Sequence, residues 1–222
     1  MAQIWVGAQR ARPDASAHAL PRAPSAALLR VTALGEPVAL SQILTLWLQA
    51  FDNQPGISIP FLALDYERVE TWLDRLLALD PRAQYPLMMA AHFYAQVPDA
   101  AKERRMLAFL HQRFLEDPNR RWRWLAHAVI IAKHRLKDLP LALRYAEALA
   151  ANATDSSVPD WARQVRIFLL EDLGEIEAAK ILLGGLLASG QITDEHEKRL
   201  LIERLTAMQQ GEKSSSSPNS RP

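Results

Sequence analysis

Six histidines, His18, His92, His111, His127, His134 and His196, are the first residues in this chain to test for chemistry. None falls in the His-Glu-x-x-His pattern that sets two imidazoles on one helical face for zinc. His196-Glu197 lacks the second histidine. His127 and His134 are seven residues apart, which on a helix is two turns and about 10 Å along the axis, too far to share one ion without further ligands. There is no Gly-x-Ser-x-Gly elbow and no glycine-rich phosphate cradle followed by Lys-Ser/Thr. Gly184-Gly185 lies inside a helical pattern, where it reads as a point of close helix packing. The chain has no cysteine, so disulfides, thiolate zinc sites and cysteine nucleophiles are excluded. These residues point to no catalysis, no cofactor and no metal.

One local feature exceeds background. From Arg120 to Lys137 there are six Lys/Arg and no Asp/Glu. At 100° per residue, Trp122, Leu125, Ala128, Val129, Ala132 and Leu136 gather on one side, which is expected to be core. Arg120, Arg123, His127, His134 and Lys137 gather opposite, around Ile130 and Ile131. Trp122 and Trp124 read as core before they read as a stacking platform. The plain interpretation of the stripe is a solvated face, neutralised by Glu116, Asp117, Glu171, Asp172, Glu175 and Glu177. The functional interpretation is a site for an acidic peptide or chain terminus, with Arg120, Arg123, His127, His134 and Lys137 as the contact residues. Nucleic acid is the alternative, because helical repeats can read RNA and the Arg/Trp mixture invites stacking. Against it stands a net charge of only +1, which supplies no global attraction to phosphate.

The elements that must carry this stripe are helices. The 222 residues are 49% apolar, with only 8 glycines and little of the alternation of a strand. Asp65 to Pro81, DYERVETWLDRLLALDP, is the organising helix, with Val69, Trp72, Leu73, Leu76, Leu77 and Leu79 on its apolar face and Pro81 as its stop. Val38 to Phe51 reads as another, burying Leu40, Ile43, Leu44, Trp47, Leu48 and Phe51. Residues 52 to 61 form a connector whose Ile57, Ile59 and Phe61 are expected to pack into the domain. Were the protein an enzyme, the Pro55 to Phe61 region is where its site would lie. Helices follow over Tyr85–Ala95, Lys102–Glu116, Arg120–Leu136, Leu141–Asn152, Trp161–Leu173, Ile176–Leu187 and Thr193–Met208, the last capped by Thr193. The last helix is also a surface through which the array could self-associate. Residues 1–37, rich in Ala and Pro, read as a disordered leader, 38–208 as the helical domain and 209–222 as a disordered tail. No apolar run reaches the roughly 18 residues that span a bilayer. The default compartment is cytoplasmic; the alternative is a membrane-associated or periplasmic protein whose N-terminal anchor is missing or shortened.

A repeat underlies these helices. From Val69, Met106 lies 37 residues on, Ala142 a further 36 and Ala179 a further 37. Four residues past each stand Leu73, Leu110, Ala146 and Leu183; seven past stand Leu76, Arg113, Leu149 and Leu186. Only Arg113 breaks the apolar register. A period in this range built from helix pairs means a solenoid, in which each pair buries its apolar face on its neighbours. The units resemble tetratricopeptide repeats. DYERVETWLDRLLALDP is similar to that family's second helix, as are LKDLPLALRYAEALA and LGEIEAAKILLGGLL, with Lys137-Asp138 and Gly174-Glu175 at the inter-helix turn. Trp124 and Trp161 stand near the family's first-helix tryptophan. The period of about 37 departs from the family's 34. The chain is also similar to bacterial proteins of this type, some of which carry an N-terminal membrane anchor. The resemblance covers about residues 38 to 190. It implies an all-α, right-handed α-solenoid of about four antiparallel helix pairs. The function it implies is that of a protein-interaction scaffold binding a peptide or protein segment in a concave groove.

Overall fold

The computed structural model describes residues 18–54, 57–190, 192 and 194–215, with side chains described as far as Gln210. Apart from one short hairpin and two 3-10 turns, the regular structure among them is α-helical. The chain divides into two compact units, one ending at Gln112 and the other beginning at Arg113.

The first unit holds α1 (Ala26–Thr32), α2 (Pro37–Gln49), the strands β1 (Asn53–Gln54) and β2 (Ile57–Ser58), α3 (Tyr66–Leu79), α4 (Tyr85–His92) and most of α5 (Ala100–Glu116). The strands pair antiparallel, with Asn53 opposite Ser58. The organising helix is α3. Asp65 caps it, its Oδ1 accepting from the backbone N–H of Glu67 (3.0 Å) and Arg68 (3.4 Å), which satisfies donors that a helix start leaves orphaned. Its whole expected apolar face, Val69 to Leu79, is buried against α1, α2 and α4.

Two expectations fail here. The stretch 1–37 was expected to be disordered; residues 1–17 lie outside the described residues, but 18–37 are built into the unit. Leu20 and Leu29 are buried. Residues 20–24 run along α3, where Arg68 Nη1 donates to the Leu20 carbonyl (2.5 Å), Trp72 Nε1 to Pro21 (2.9 Å) and Arg75 Nε to Pro24 (3.1 Å). Prolines have no N–H to offer a ladder, so this extended segment is held through its carbonyls by donors at positions 68, 72 and 75, one stripe of the helix. The second failure is the buried face of α2. Ser41, Thr45 and Leu48 are buried, whereas Ile43 is 63% exposed, and Leu46 and Trp47 are exposed too. Ser41 Oγ donates to the Leu76 carbonyl of α3 (3.0 Å) and Thr45 Oγ1 to the Ser41 carbonyl (2.7 Å). Small hydroxyl residues let the helices approach and satisfy their own polar atoms, while a helix apolar nearly all round gives periodicity no face to choose.

The second unit continues with α6 (Pro118–His134), α7 (Leu139–Asn152), α8 (Asp160–Asp172), α9 (Ile176–Ala188) and α10 (Glu195–Ser215), each packing on the next in chain order. Pro118 and Pro140 sit in the first turn of their helices, where a missing N–H costs nothing. Three inter-helix connections share one device, a left-handed residue: Lys137 (φ 52°) after α6, Gly174 (φ 80°) after α8 and Gly190 (φ 68°) after α9. Ile167, Ala179, Leu183, Ile192, Leu201 and Met208 form the core of the last three helices.

Three further expectations change in this unit. The cap of α10 is Asp194, whose Oδ1 accepts from His196 N–H (2.8 Å) and Glu197 N–H (3.4 Å); Thr193, expected in that role, lies outside the described residues. The helix runs on to Ser215, past the Met208 end. Gly184 and Gly185 do not mark close helix packing: a Cβ placed on either meets no atom within 4 Å. Among the described residues no single helix is long and apolar enough to cross a membrane; α1 and α2 reach that length and composition only as a pair, and they are bent by 112°.

Candidate functional site: the basic face of α6

The Arg120–Lys137 stripe lies on α6 and the turn that follows it. The expected core side is buried: Trp122, Leu125, Ala128, Val129 and Ala132 are all inside, with Leu136 half-buried. Ile131, placed with the stripe by its angle, is also buried. Opposite, Arg120, Arg123, Ile130, His134 and Lys137 are exposed and His127 is half-buried. Arg120, Arg123, His127, Ile130 and His134 follow the three-four spacing of one line along α6, which puts them on one face, while Lys137 lies in the turn beyond the helix.

The charges on that face differ in availability. Arg120 Nε is paired with Asp117 Oδ2 at 2.8 Å, across the first turn. Arg123 lies 5.2 Å from the ring of Trp122, whose own indole stands edge-on to Trp161 at 5.5 Å. His134 and Lys137 have no ion-pair partner among the described residues. Lys133, off the line, is paired with Asp172 at 2.5 Å. The acids expected to neutralise the stripe therefore take Arg120 and Lys133, and leave the C-terminal half of the line to solvent. Ile130, 52% exposed, sits between His127 and His134 as an apolar point on a polar line.

Arg121 belongs to the charge count but not to the face. It is 3% exposed, and its Nη1 donates to the Arg113 carbonyl (2.6 Å) and to Glu116 Oε2 (2.8 Å). Arg113 O is one of the last carbonyls of α5, which have no partner inside their own helix. Arg121 is thus a cap for the preceding helix. Arg113, which interrupts the apolar register, lies half-buried and bridges to Glu116 at 2.8 Å. Sequence reasoning could have found the pair, since a helix break at Asp117-Pro118 puts the next helix's first turn beside the last one's carbonyls.

Among the described residues, no group of three or more His, Asp or Glu side chains is placed to hold a metal ion. The Ile57–Phe61 side of the connector packs as expected: Ile59 is buried, and Phe61 stacks on Phe93 and meets Tyr94 edge-on. Pro55 and Gly56 lie outside the described residues. In comparison with known proteins, no family model matches the chain, and no curated protein and no solved structure matches it.

Proposed function

We propose that this protein is a non-catalytic interaction scaffold that binds an acidic peptide or protein segment along the exposed face of α6. The observation that carries the proposal is the line Arg123, His127, Ile130 and His134 on α6, followed by Lys137 in the turn after it: basic side chains around an exposed isoleucine, beside a helix that bears no acidic residue. Such a line offers charge-assisted hydrogen bonds to carboxylates and one apolar anchor to the residues between them. In this reading the helices of the second unit stack as in tetratricopeptide repeats. Their successive packing, the 37- and 36-residue spacing of Met106, Ala142 and Ala179, and the shared left-handed turns support that arrangement.

The test is capture of binding proteins by the full chain and by an Arg123→Glu, His134→Glu variant shown by circular dichroism to be folded. A protein recovered with the wild type and lost from the variant supports the reading. Equal recovery from both overturns it and leaves a solvated face. Binding of RNA with a steep inverse dependence on salt, in the absence of any protein partner, would replace it with the nucleic-acid alternative.

A further inference from the structure

A cleft of about 340 Å³ opens in the second unit between the first half of α8 and the second half of α9. Asp160, Arg163, Gln164 and Arg166 line it on the polar part, and Ile167, Ile181, Leu182 and Gly185 are among its other lining residues. Two of the donors lack partners. Gln164 is 5% exposed and its Nε2 has no hydrogen bond. The Arg166 Nε is buried and likewise unbonded, and Arg166 has no ion pair among the described residues. Arg163 is held by Asp160 and reaches the Thr154 and Asp155 carbonyls at 3.5 Å.

Buried donors without acceptors are disfavoured, and an acceptor entering the cleft would relieve them. The acceptor must be an anion, since two guanidiniums face one carboxylate. One surplus positive charge suits a monoanion better than a phosphate dianion. A carboxylate has only acceptor sites, and can take a guanidinium N–H and an amide N–H together. Apart from Ser189 the remaining lining is apolar, and Ile181 is 72% exposed, an aliphatic side chain in water that a hydrocarbon tail would cover.

We infer that this cleft binds a small free monocarboxylic acid with an aliphatic tail, the carboxylate on Gln164 and Arg166 and the tail against Ile167, Ile181 and Leu182. The site uses α8 and α9 and stands apart from the α6 stripe; either can fail without the other.

Hexanoate is the probe, titrated calorimetrically into the full chain beside hexanamide, acetate and inorganic phosphate. One hexanoate per chain is expected, with hexanamide and acetate each weaker by about tenfold or more, because each lacks one half of the recognition. Arg166→Met keeps the aliphatic stem and should weaken hexanoate by a similar factor. Gly185→Leu should abolish binding in a folded protein, since its Cβ enters open space. The inference is overturned if hexanoate at millimolar concentration does not bind, if hexanamide or phosphate binds as well as hexanoate, or if folded Gly185→Leu binds it undiminished.

Discussion

Tyr66 and Tyr94 are buried side by side with opposite hydrogen-bond fates. The Tyr66 hydroxyl donates to the Tyr94 carbonyl at 2.9 Å, while the Tyr94 hydroxyl is buried with no partner. Tyr66→Phe removes that hydrogen bond inside the unit and is expected to cost about 0.5–1.5 kcal/mol. Tyr94→Phe removes an unsatisfied hydroxyl and keeps the ring contacts with Phe61 and Tyr66, so it is expected to be neutral or stabilising by up to about 1 kcal/mol. Urea unfolding of the two variants checks both; equal losses would refute the assignment. Gly184 gives a third case at this scale. It is helical, with nothing near its missing Cβ, so Gly184→Ala should stabilise by about 0.5–1 kcal/mol. A loss in midpoint denaturant concentration would show that the glycine is needed for packing after all.

Two elements are tied down by arginines that reach beyond their own helix. At the end of α5, the Arg121 guanidinium satisfies a terminal carbonyl and pairs with Glu116. Arg121→Met keeps most of the buried stem and loses charged hydrogen bonds, so a cost of about 1.5–3 kcal/mol is expected. Arg120→Met, one position earlier but exposed, should cost about 0–1 kcal/mol. Similar effects from the two would mean that Arg121 is not acting as a cap. On α3, Arg68, Trp72 and Arg75 hold residues 20–24 by their carbonyls. Deleting residues 1–24 strips the buried Leu20 from the core and should lower stability by about 2–3 kcal/mol, read from the denaturant midpoint. An unchanged midpoint would show that this segment contributes nothing to the fold.

For the molecule as a whole, the two buried tyrosines make stability depend on pH on the alkaline side. Burial is the main cause that pushes both tyrosine phenols above their ordinary value, with Asp99 and Glu103 adding to it at Tyr66 and Asp52 at Tyr94. A group whose pKa rises on folding contributes stability that is complete below the unfolded value and is lost as pH climbs towards the folded one. Stability is therefore expected to fall above about pH 10, where the unfolded phenols begin to ionise and the folded ones resist. Tyr94→Phe should shallow that decline, and an identical alkaline profile for the variant would rule out this cause. At this scale the near-neutral total charge has a second consequence. Any electrostatic binding must come from a local patch such as the α6 line, because the field of the whole chain supplies no attraction.

What the sequence determined by itself was the helical class, the placing of the main breaks, and the buried faces of α3 and α6. Each of those helices has one apolar side and one charged side, and a period of 3.6 residues can then have only one orientation. It also placed Arg120, Arg123, His127 and His134 together, since that grouping needs only helical geometry; Lys137, expected with them, falls in the turn after α6. Tertiary structure decided the rest. It chose Ser41 and Thr45 over Ile43 for the interface of α2, because with apolar residues on several sides the fit to α3 and the hydroxyls' own bonds set the roll. It turned Arg121 from a surface charge into a buried cap, because a neighbouring helix ended in orphan carbonyls beside it. It ordered residues 20–24, whose composition reads as disordered, because α3 offered three donors at matching spacing. And it left the Gln164 and Arg166 nitrogens unbonded beside a cleft lined by both polar and apolar residues, an arrangement made by two helices meeting and carried by no pattern along either one.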